Sequence, residues 1–253
     1  MINDENISKR DIVLELKNLH KHFGDNHVLN GFNMKLFQGE SLVIMGKSGS
    51  GKSVMIKCLV GLMEADDGTI SVMHKDITKL NQEALDILRA DIGFLFQGSA
   101  LYDSMTVREN LEFPLRRHTK KFGEHIDTET MVVEALESVG LASAIDLMPS
   151  ELSGGMKRRV ALARTLILQP KIILYDEPTS GLDPITAKEI IILMQDIQKK
   201  YDTSSLIITH DVDCARVISD RMILLIDGID YAVGTYAELS ASTDPKIKAF
   251  FKH

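Results

Sequence analysis

The sequence has no tryptophan, only two cysteines and no long uncharged segment. The longest stretch without Asp, Glu, Lys or Arg is residues 92–102, only 11 residues, whereas a membrane-spanning helix needs about 20 mostly apolar residues. Cys58 and Cys214 lie far apart in apolar surroundings, which predicts buried, reduced thiols rather than a disulfide framework. The opening residues 1–11 are polar, which argues against a secretory signal. We therefore expect a cytoplasmic chain that does not itself span a membrane.

The composition is that of a globular protein. The chain has 253 residues, of which 44% are hydrophobic and 26% charged, with a formal net charge of −7. These values exclude a disordered or fibrous chain. The acidic balance also argues against a nucleic-acid partner, because phosphate backbones favour basic surfaces.

Short apolar segments alternate with helical patterns along most of the chain. Apolar stripes at residues 131–139 and 190–197 have helical spacing. Strands that alternate with helices predict an α/β fold with a mostly parallel sheet. The predicted buried strands are Ser41–Met45, Ile92–Phe96, Lys171–Tyr175, Ser205–Thr209 and Arg221–Ile226.

Two regions depart from this alternation. Ile12–Leu16 and Asn33–Phe37 alternate apolar and polar residues around a turn at Gly24–Asn26, which predicts antiparallel strands before the parallel core. Residues from Gly98 to about Glu151 have few strand signals and predict a helical insert. We expect one domain, residues 1–253, with a core at about 10–97 and 157–253 and a helical lobe at about 98–156.

Residues 46–53 read GKSGSGKS and fit the phosphate-loop pattern G-x-x-x-x-G-K-[ST]. The loop follows the predicted strand Ser41–Met45 and begins a predicted helix, Lys52–Met63. Its glycines let successive N–H groups point at phosphate oxygens, and the helix N-terminus favours an anion. Lys52 is expected to reach the β- and γ-phosphates, and the Ser53 hydroxyl to ligate Mg²⁺. The pattern alone indicates a nucleoside triphosphate, since kinases, GTPases and motor ATPases share it.

A second candidate feature is an apolar strand that ends in two carboxylates, Asp176 and Glu177. Ligands of parallel α/β sheets bind at such strand ends. Asp176 is suited to hold Mg²⁺ through water, and Glu177 to polarise an attacking water.

Ser153 precedes two glycines and an Arg-rich helical pattern, Lys157–Leu168, which predicts a second anion-binding helix start. One chain that binds one nucleotide has little need of two such sites. If two chains pack head-to-tail, however, the Ser153 loop of each covers the γ-phosphate held by Lys52 of the other.

These residues closely resemble the motifs of the ATP-binding cassette (ABC) ATPases over nearly the whole chain. Leu152–Met156 resembles the signature sequence, although Met156 stands where the family usually has Gln. Asp176-Glu177-Pro178 resembles Walker B, residues 180–183 the D-loop, Gln97 the Q-loop and His210 the switch histidine. The implied fold is a P-loop NTPase cassette with a RecA-like, mostly parallel core, antiparallel N-terminal strands and a helical lobe.

The resemblance implies a role for each matched position, with ATP and Mg²⁺ as ligands. Phe23 falls where the family, more often with Tyr, stacks an aromatic ring on adenine. Catalytic roles are implied for Glu177, His210, Gln97 and Lys52, and metal contacts for Ser53, Gln97 and Asp176. Asp183 is expected to contact the phosphate loop of a partner copy. The implied ATP-binding residues are Phe23, Gly46, Lys47, Ser48, Gly49, Ser50, Gly51, Lys52, Ser53 and Val54, with Ser153, Gly154 and Gly155 supplied in trans.

The segment Phe96–Val107, with Phe113-Pro114-Leu115 and the signature, further resembles the ATPase subunits of Mla/MCE-type phospholipid transport systems (MlaF-like). This implies a homodimer on the cytoplasmic face of an inner membrane, with permease subunits and an MCE-domain protein as partners. The implied cargo is phospholipid, moved between the inner and outer membranes to maintain outer-membrane lipid asymmetry.

Two other interpretations stay open: the ATPase of another importer, for example for polar amino acids, and a soluble ABC ATPase of DNA repair or translation. The guanine-reading motif Asn-Lys-x-Asp of GTPases is absent. The tail Thr243–His253 is compatible with packing on a partner copy or with an ordinary exposed helix end.

Overall fold

The structure is a computed structural model that describes residues 10–122 and 127–251, with only the backbone at Lys120. The first nine residues, where no secretory signal is expected, and the last two residues of the tail lie outside these ranges. Within the described ranges, no helix combines the length and apolarity that crossing a bilayer demands. Cys58 and Cys214 are both buried free thiols, as predicted.

The chain contains ten strands and ten α-helices within the described ranges. The strands are β1 (Ile12–Phe23), β2 (Asn26–Phe37), β3 (Ser41–Met45), β4 (Asp67–Val72), β5 (Lys75–Asp76), β6 (Ile92–Leu95), β7 (Ile172–Asp176), β8 (Ser204–Thr209), β9 (Arg221–Ile226) and β10 (Ile229–Gly234). The helices are α1 (Lys52–Leu59), α2 (Gln82–Arg89), α3 (Val107–Arg117), α4 (Thr119–Phe122), α5 (Thr128–Ser138), α6 (Gly154–Leu166), α7 (Pro184–Tyr201), α8 (Val212–Ile218), α9 (Tyr236–Ser240) and α10 (Pro245–Phe251). Short 3₁₀ helices occupy Ile77–Lys79, Ala142–Ala144 and Pro149–Glu151.

The first compact unit combines the chain up to Leu85 with the chain from Ser204 onward. It holds an antiparallel sheet in the order β2-β1-β4-β5, and β3 flanked by the parallel strands β8 and β9. Every residue of β3 and β8 is buried, as expected of strands covered on both faces. β10 returns antiparallel to β9 and ends this group of strands.

The second unit comprises Asp86–Thr203. It contains the parallel pair β6 and β7, with Ile92 opposite Ile172 and Leu95 opposite Tyr175. The central helix α6 packs against β6 and against α3, α5 and α7. Between β6 and β7 the described residues are helical or irregular, in agreement with the helical insert expected from residue 98. The expected lobe boundaries stay a prediction.

The helix after the phosphate loop is shorter than predicted. It ends at Leu59 rather than Met63 because Gly61 adopts a left-handed conformation, with φ of 68°. The N–H of Leu62 donates to the carbonyl of Lys57 and that of Gly61 to Cys58, which is the pattern of a helix closed by a glycine. At the N-terminus, the two predicted strands are instead one long hairpin, in which β1 continues to Phe23 and pairs it with Asn26.

Candidate functional site

The phosphate loop connects β3 to α1 in the first unit. Its curl depends on glycine at two positions. A Cβ on Gly46 would lie 2.3 Å from Ser50 Oγ and 3.0 Å from the carbonyl oxygen of Leu225, and one on Gly51 would lie 2.9 Å from Val28 Cγ1. Gly51 also has φ of 104°, which side chains rarely tolerate. Glycine at these two positions therefore avoids close contacts, and at Gly51 it also permits the left-handed backbone.

Lys52 lies across this loop. Its side chain is buried, and Nζ donates to the carbonyl oxygens of Gly46 at 2.7 Å and Lys47 at 3.0 Å. Ser53 is exposed in the first turn of α1, where the N–H groups have no intrahelical acceptor. A glycine cradle, a lysine ammonium and an exposed hydroxyl at a helix N-terminus are a donor set that fits a Mg²⁺-bound triphosphate. Val54, the remaining predicted contact, is half-buried behind Ser53.

A cleft of about 630 Å³ opens beside the first half of the loop, lined by Lys47, Ser48, Gly49 and Ser50 together with β2 and the β9–β10 turn. Ser50 Oγ is buried and has no hydrogen-bond partner among the described residues. The predicted phosphate-binding residues from 47 to 50 thus belong to one concave surface.

Phe23 lies at the tip of the β1–β2 hairpin with 48% of its surface exposed. The ammonium of Lys21 lies 5.5 Å from the centre of its ring. Asp66 holds the base of the tip, because it accepts from Lys21 Nζ at 2.8 Å and from the backbone N–H of His22 at 2.6 Å. The hydrogen bond from Lys21 holds the pKa of Asp66 below its usual value. An aromatic face is therefore presented on a fixed turn.

His210 is the remaining predicted site residue of the first unit. It directly follows the buried strand β8 and is exposed. The next residue, Asp211, caps α8 by accepting from the N–H groups of Asp213 and Cys214. The strand end and the helix cap together fix the backbone at His210.

In the second unit, β7 is buried up to Tyr175 and ends at Asp176, which is half-buried. Glu177 is 9% exposed and has φ of 49°. A left-handed conformation is uncommon for a residue with a side chain and often marks a functional turn. The backbone thus leaves the strand between the two predicted carboxylates, and the turn sets the direction of Glu177.

Gln97 follows β6, and its Nε2 donates to Ser180 Oγ at 3.2 Å. The buried guanidinium of Arg158 binds the same region, donating to the carbonyl oxygens of Phe96 at 2.7 Å, of Gln97, and of Ser180 at 3.4 Å. Burial lowers the pKa of Arg158, partly opposed by Asp176. Arg158 therefore joins helix α6 to Gln97 and to the turn after Glu177. The sequence did not predict this role of Arg158, because no motif places an arginine at a spacing that indicates it.

The serine–glycine loop begins α6. Ser153 is the N-cap, and its Oγ accepts from the N–H of Met156 at 3.2 Å. A Cβ on Gly155 would lie 2.7 Å from Thr186 Cγ2, so glycine permits the close approach of α6 to α7. A Cβ on Gly154 would meet only Leu182, at 3.9 Å, so packing does not explain that glycine.

Asp183 is the N-cap of α7. Its carboxylate accepts from the N–H groups of Ile185 and Thr186, both at 3.1 Å, and from Thr186 Oγ1 at 2.5 Å. These hydrogen bonds, the one from the Thr186 hydroxyl foremost, lower its pKa. The first unit thus carries Phe23, the phosphate loop and His210, whereas the second carries Gln97, the serine–glycine loop, Asp176, Glu177 and Asp183.

Comparison with known proteins agrees with these motifs. The family model described as ABC transporter matches residues 29–180, which is more than half of the chain. The chain belongs to the ABC transporter ATP-binding family. It is therefore an ABC-type ATPase, whose family binds ATP with Mg²⁺ and hydrolyses it.

Two named relatives are similar over most of the chain. The probable ribonucleotide transport ATP-binding protein mkl of Mycobacterium leprae is 38% identical over 94% of this chain and 68% of its own length. The methionine import ATP-binding protein MetN of Clostridium tetani is 41% identical over 90% of this chain and 70% of its own length. The chain thus spans about two thirds of these relatives.

Solved structures agree on the fold. A dimeric post-hydrolysis state of the ATP-binding cassette MJ0796, bound to ADP and Pi, matches with a TM-score of 0.79 and 32% identity over 88% of this chain and 98% of its own. Clostridium perfringens cbiO1, part of the ABC transporter complex cbiONQ, matches with a TM-score of 0.82 and 29% identity over 96% of each chain. The cassette fold predicted from the sequence is confirmed.

Proposed function

We propose that this chain is the ATP-hydrolysing subunit of a transporter whose membrane-spanning permease is a separate chain. The observation that carries the proposal is the buried Lys52, which lies across the loop and donates to the carbonyl oxygens of Gly46 and Lys47. In this proposal the loop N–H groups and Lys52 hold the β- and γ-phosphates, and Phe23 stacks on the adenine. Ser53, Asp176 and Gln97 would hold Mg²⁺, which would supply positive charge to neutralise the phosphates.

Hydrolysis is proposed to proceed by in-line attack of water on the γ-phosphate. Glu177 accepts a hydrogen bond from that water and orients it. His210 is proposed to hydrogen-bond the γ-phosphate and to keep the water and Glu177 aligned. Lys52 stabilises the negative charge of the transition state. The fixed turn at Glu177 supports this assignment, because a water-orienting carboxylate needs a defined direction.

The site is proposed to be complete only when two copies pack head-to-tail. The Ser153 loop then faces the γ-phosphate of the other copy, with the N–H groups of Gly154 and Gly155 as donors. Asp183 is proposed to approach the phosphate loop of the partner in the same dimer. The dimeric state of the MJ0796 cassette supports this arrangement.

Two substitutions test the arrangement. E177Q is expected to bind ATP, to lose phosphate release by at least about 100-fold, and to accumulate as an ATP-bound dimer in size-exclusion chromatography. S153R is expected to bind ATP as a monomer and to lose turnover, because the arginine fills the place of the partner's phosphate. S143R, at an exposed serine outside the motifs, is the control for a serine-to-arginine change. Wild-type turnover by S153R, or by a chain shown to remain monomeric, would contradict the proposal.

The permease is proposed to dock on the second unit. A groove of about 180 Å³ is lined there by Phe96, Pro114, Arg164 and neighbouring residues of β6 and α6. Beside it, Arg164 donates to the carbonyl oxygens of Ser99 and Ala100, which fixes the loop after Gln97. Docking at this loop would connect permease movement to Gln97. Such docking would place the chain on the cytoplasmic face of the membrane that holds the permease.

For the cargo, the names of the relatives support import of a small polar solute, such as an amino acid or a nucleotide-like compound, better than they support lipid transport. Phospholipid transport with an MCE-domain partner is the second candidate. The MlaF-like resemblance of the loop within Phe96–Leu115 favours it. In that loop, buried Asn110 accepts from the N–H of Tyr102 and donates to its carbonyl oxygen. Tyr102 is thereby presented, 43% exposed, as a fixed part of the loop that carries the MlaF-like resemblance.

Affinity purification from the membranes of the native host separates these candidates. A permease that co-purifies supports a transporter, whereas purification without any membrane protein would favour a soluble ABC ATPase. Mass spectrometry of the complex then identifies the cargo: phospholipid with an MCE-domain protein supports the second candidate, and a bound amino acid or nucleotide supports import.

A further inference from the structure

The C-terminal helix α10 forms one wall of the cleft beside the phosphate loop. The cleft of about 630 Å³ is bounded on that side by Lys246, Ala249 and Phe250. Lys246 shares this cleft with Lys47–Ser50, so its charge can act on an anion held beside the loop.

Helix α10 is anchored to the strands beneath it. Asp244, just before the helix, accepts from the Tyr231 hydroxyl at 2.8 Å and from the N–H of Lys246 at 2.7 Å. Ile247 is buried, and the ring of Phe251 meets that of Tyr236 edge-on at 5.5 Å. With these contacts the helix holds a defined position at the cleft.

Asp227, the carboxylate that pairs with Lys246, also has a defined position. Lys246 Nζ donates to Asp227 Oδ2 at 2.9 Å. Asp227 lies in the β9–β10 turn, whose carbonyl oxygens at Asp227 and Gly228 accept from the side chain and backbone of Asn30. Among the described residues that line the cleft, Lys47 and Lys246 are the lysines and Asp227 is the carboxylate.

We propose that Lys246 is a nucleotide-positioning residue, which exchanges its hydrogen bond with Asp227 for an oxygen of the bound triphosphate and so couples α10 to ATP. Lys246 lines the cleft, and 54% of its side chain is exposed. A triphosphate oxygen is a charged acceptor that competes with the exposed Asp227 carboxylate. The inference rests on the proposed role of the phosphate loop.

The test is equilibrium binding of a fluorescent ATP analogue with Mg²⁺ to the full chain, at low and high salt. K246Q is expected to weaken binding about two- to fivefold at low salt, with a smaller effect at high salt. K248Q is the matched control, because Lys248 lies on the same helix but does not line the cleft. D227N is expected to tighten binding about twofold, since it removes the competing negative charge.

The sign of the D227N effect separates electrostatic positioning from mere support of the helix. If the ion pair only holds α10 in place, D227N and K246Q weaken binding alike, and the proposal is overturned. It is also overturned if D227N leaves the affinity unchanged or if K246Q behaves as K248Q does. K52A tests the phosphate loop separately: wild-type binding by K52A refutes the loop assignment and this inference with it, whereas loss of binding in K52A with no effect of K246Q refutes only the role of Lys246.

Discussion

Replacing Arg158 with alanine tests how strongly helix α6 is joined to the turn after Glu177. The guanidinium is 3% exposed and donates to three backbone carbonyls, of which the one at Ser180 is distant at 3.4 Å. Each good hydrogen bond from a charged donor contributes about 1.5–3 kcal/mol. Two such bonds give an expected loss of about 3–6 kcal/mol in the free energy of unfolding.

The measurement is thermal unfolding followed by circular dichroism. For a chain of this size, 1 kcal/mol corresponds to about 2–4 °C, so R158A is expected to lower Tm by roughly 6–24 °C. R159A is the control: Arg159 binds the exposed Glu189 at 2.8 Å and one carbonyl at 3.2 Å. Its loss is expected to cost about 1 kcal/mol. A Tm of R158A that falls within about 3 °C of that of R159A would refute the reasoning.

Three further predictions concern single positions. G155A is expected to destabilise the chain by about 1–3 kcal/mol, because the new methyl group lies 2.7 Å from Thr186 Cγ2. Adding T186S removes Cγ2 of Thr186 and should restore most of the lost Tm. A double variant without this recovery would contradict the clash. F23A is expected to weaken ATP binding by about 1–3 kcal/mol in a direct binding assay while F23Y does not, and equal affinities of both variants would remove Phe23 from the site. Burial raises the pKa of Cys58 above its usual value, so less of this thiol is ionised at pH 8. Because both cysteines are buried, neither should react with Ellman's reagent until urea is added. Rapid reaction of the native chain would show that the thiols are accessible.

The sequence predicts the strands well where burial on both faces produces a continuous apolar run. Ser41–Met45 and Arg221–Ile226 are confirmed at both ends, because each run is bounded by charged or glycine residues. The phosphate loop is equally readable, since the geometry of phosphate binding fixes both its residue types and its spacing. The long hairpin was only partly predicted, because bulges between Leu16 and His20 interrupt the alternation on which the prediction depends.

Features that depend on distant partners were not predictable in this way. Arg158 looks like any arginine of an Arg-rich helix, and only the fold shows that it reaches the carbonyl of Phe96 across 62 positions. The wall formed by α10 has no motif, because the tail shows only scattered apolar residues. Gly155 was read as part of an anion-binding loop, but its contact with Thr186 gives it a packing role as well.

The left-handed turn at Glu177 limits how this position can change during evolution. Among ordinary residues, asparagine and glycine adopt this conformation most readily, whereas valine and isoleucine would be strained there. A drift from glutamate to asparagine therefore preserves the backbone while it removes the carboxylate. On the proposed role of Glu177, a cassette that still folds and holds nucleotide yet no longer hydrolyses it lies one tolerated replacement away, which is a short route to degenerate sites in paired assemblies.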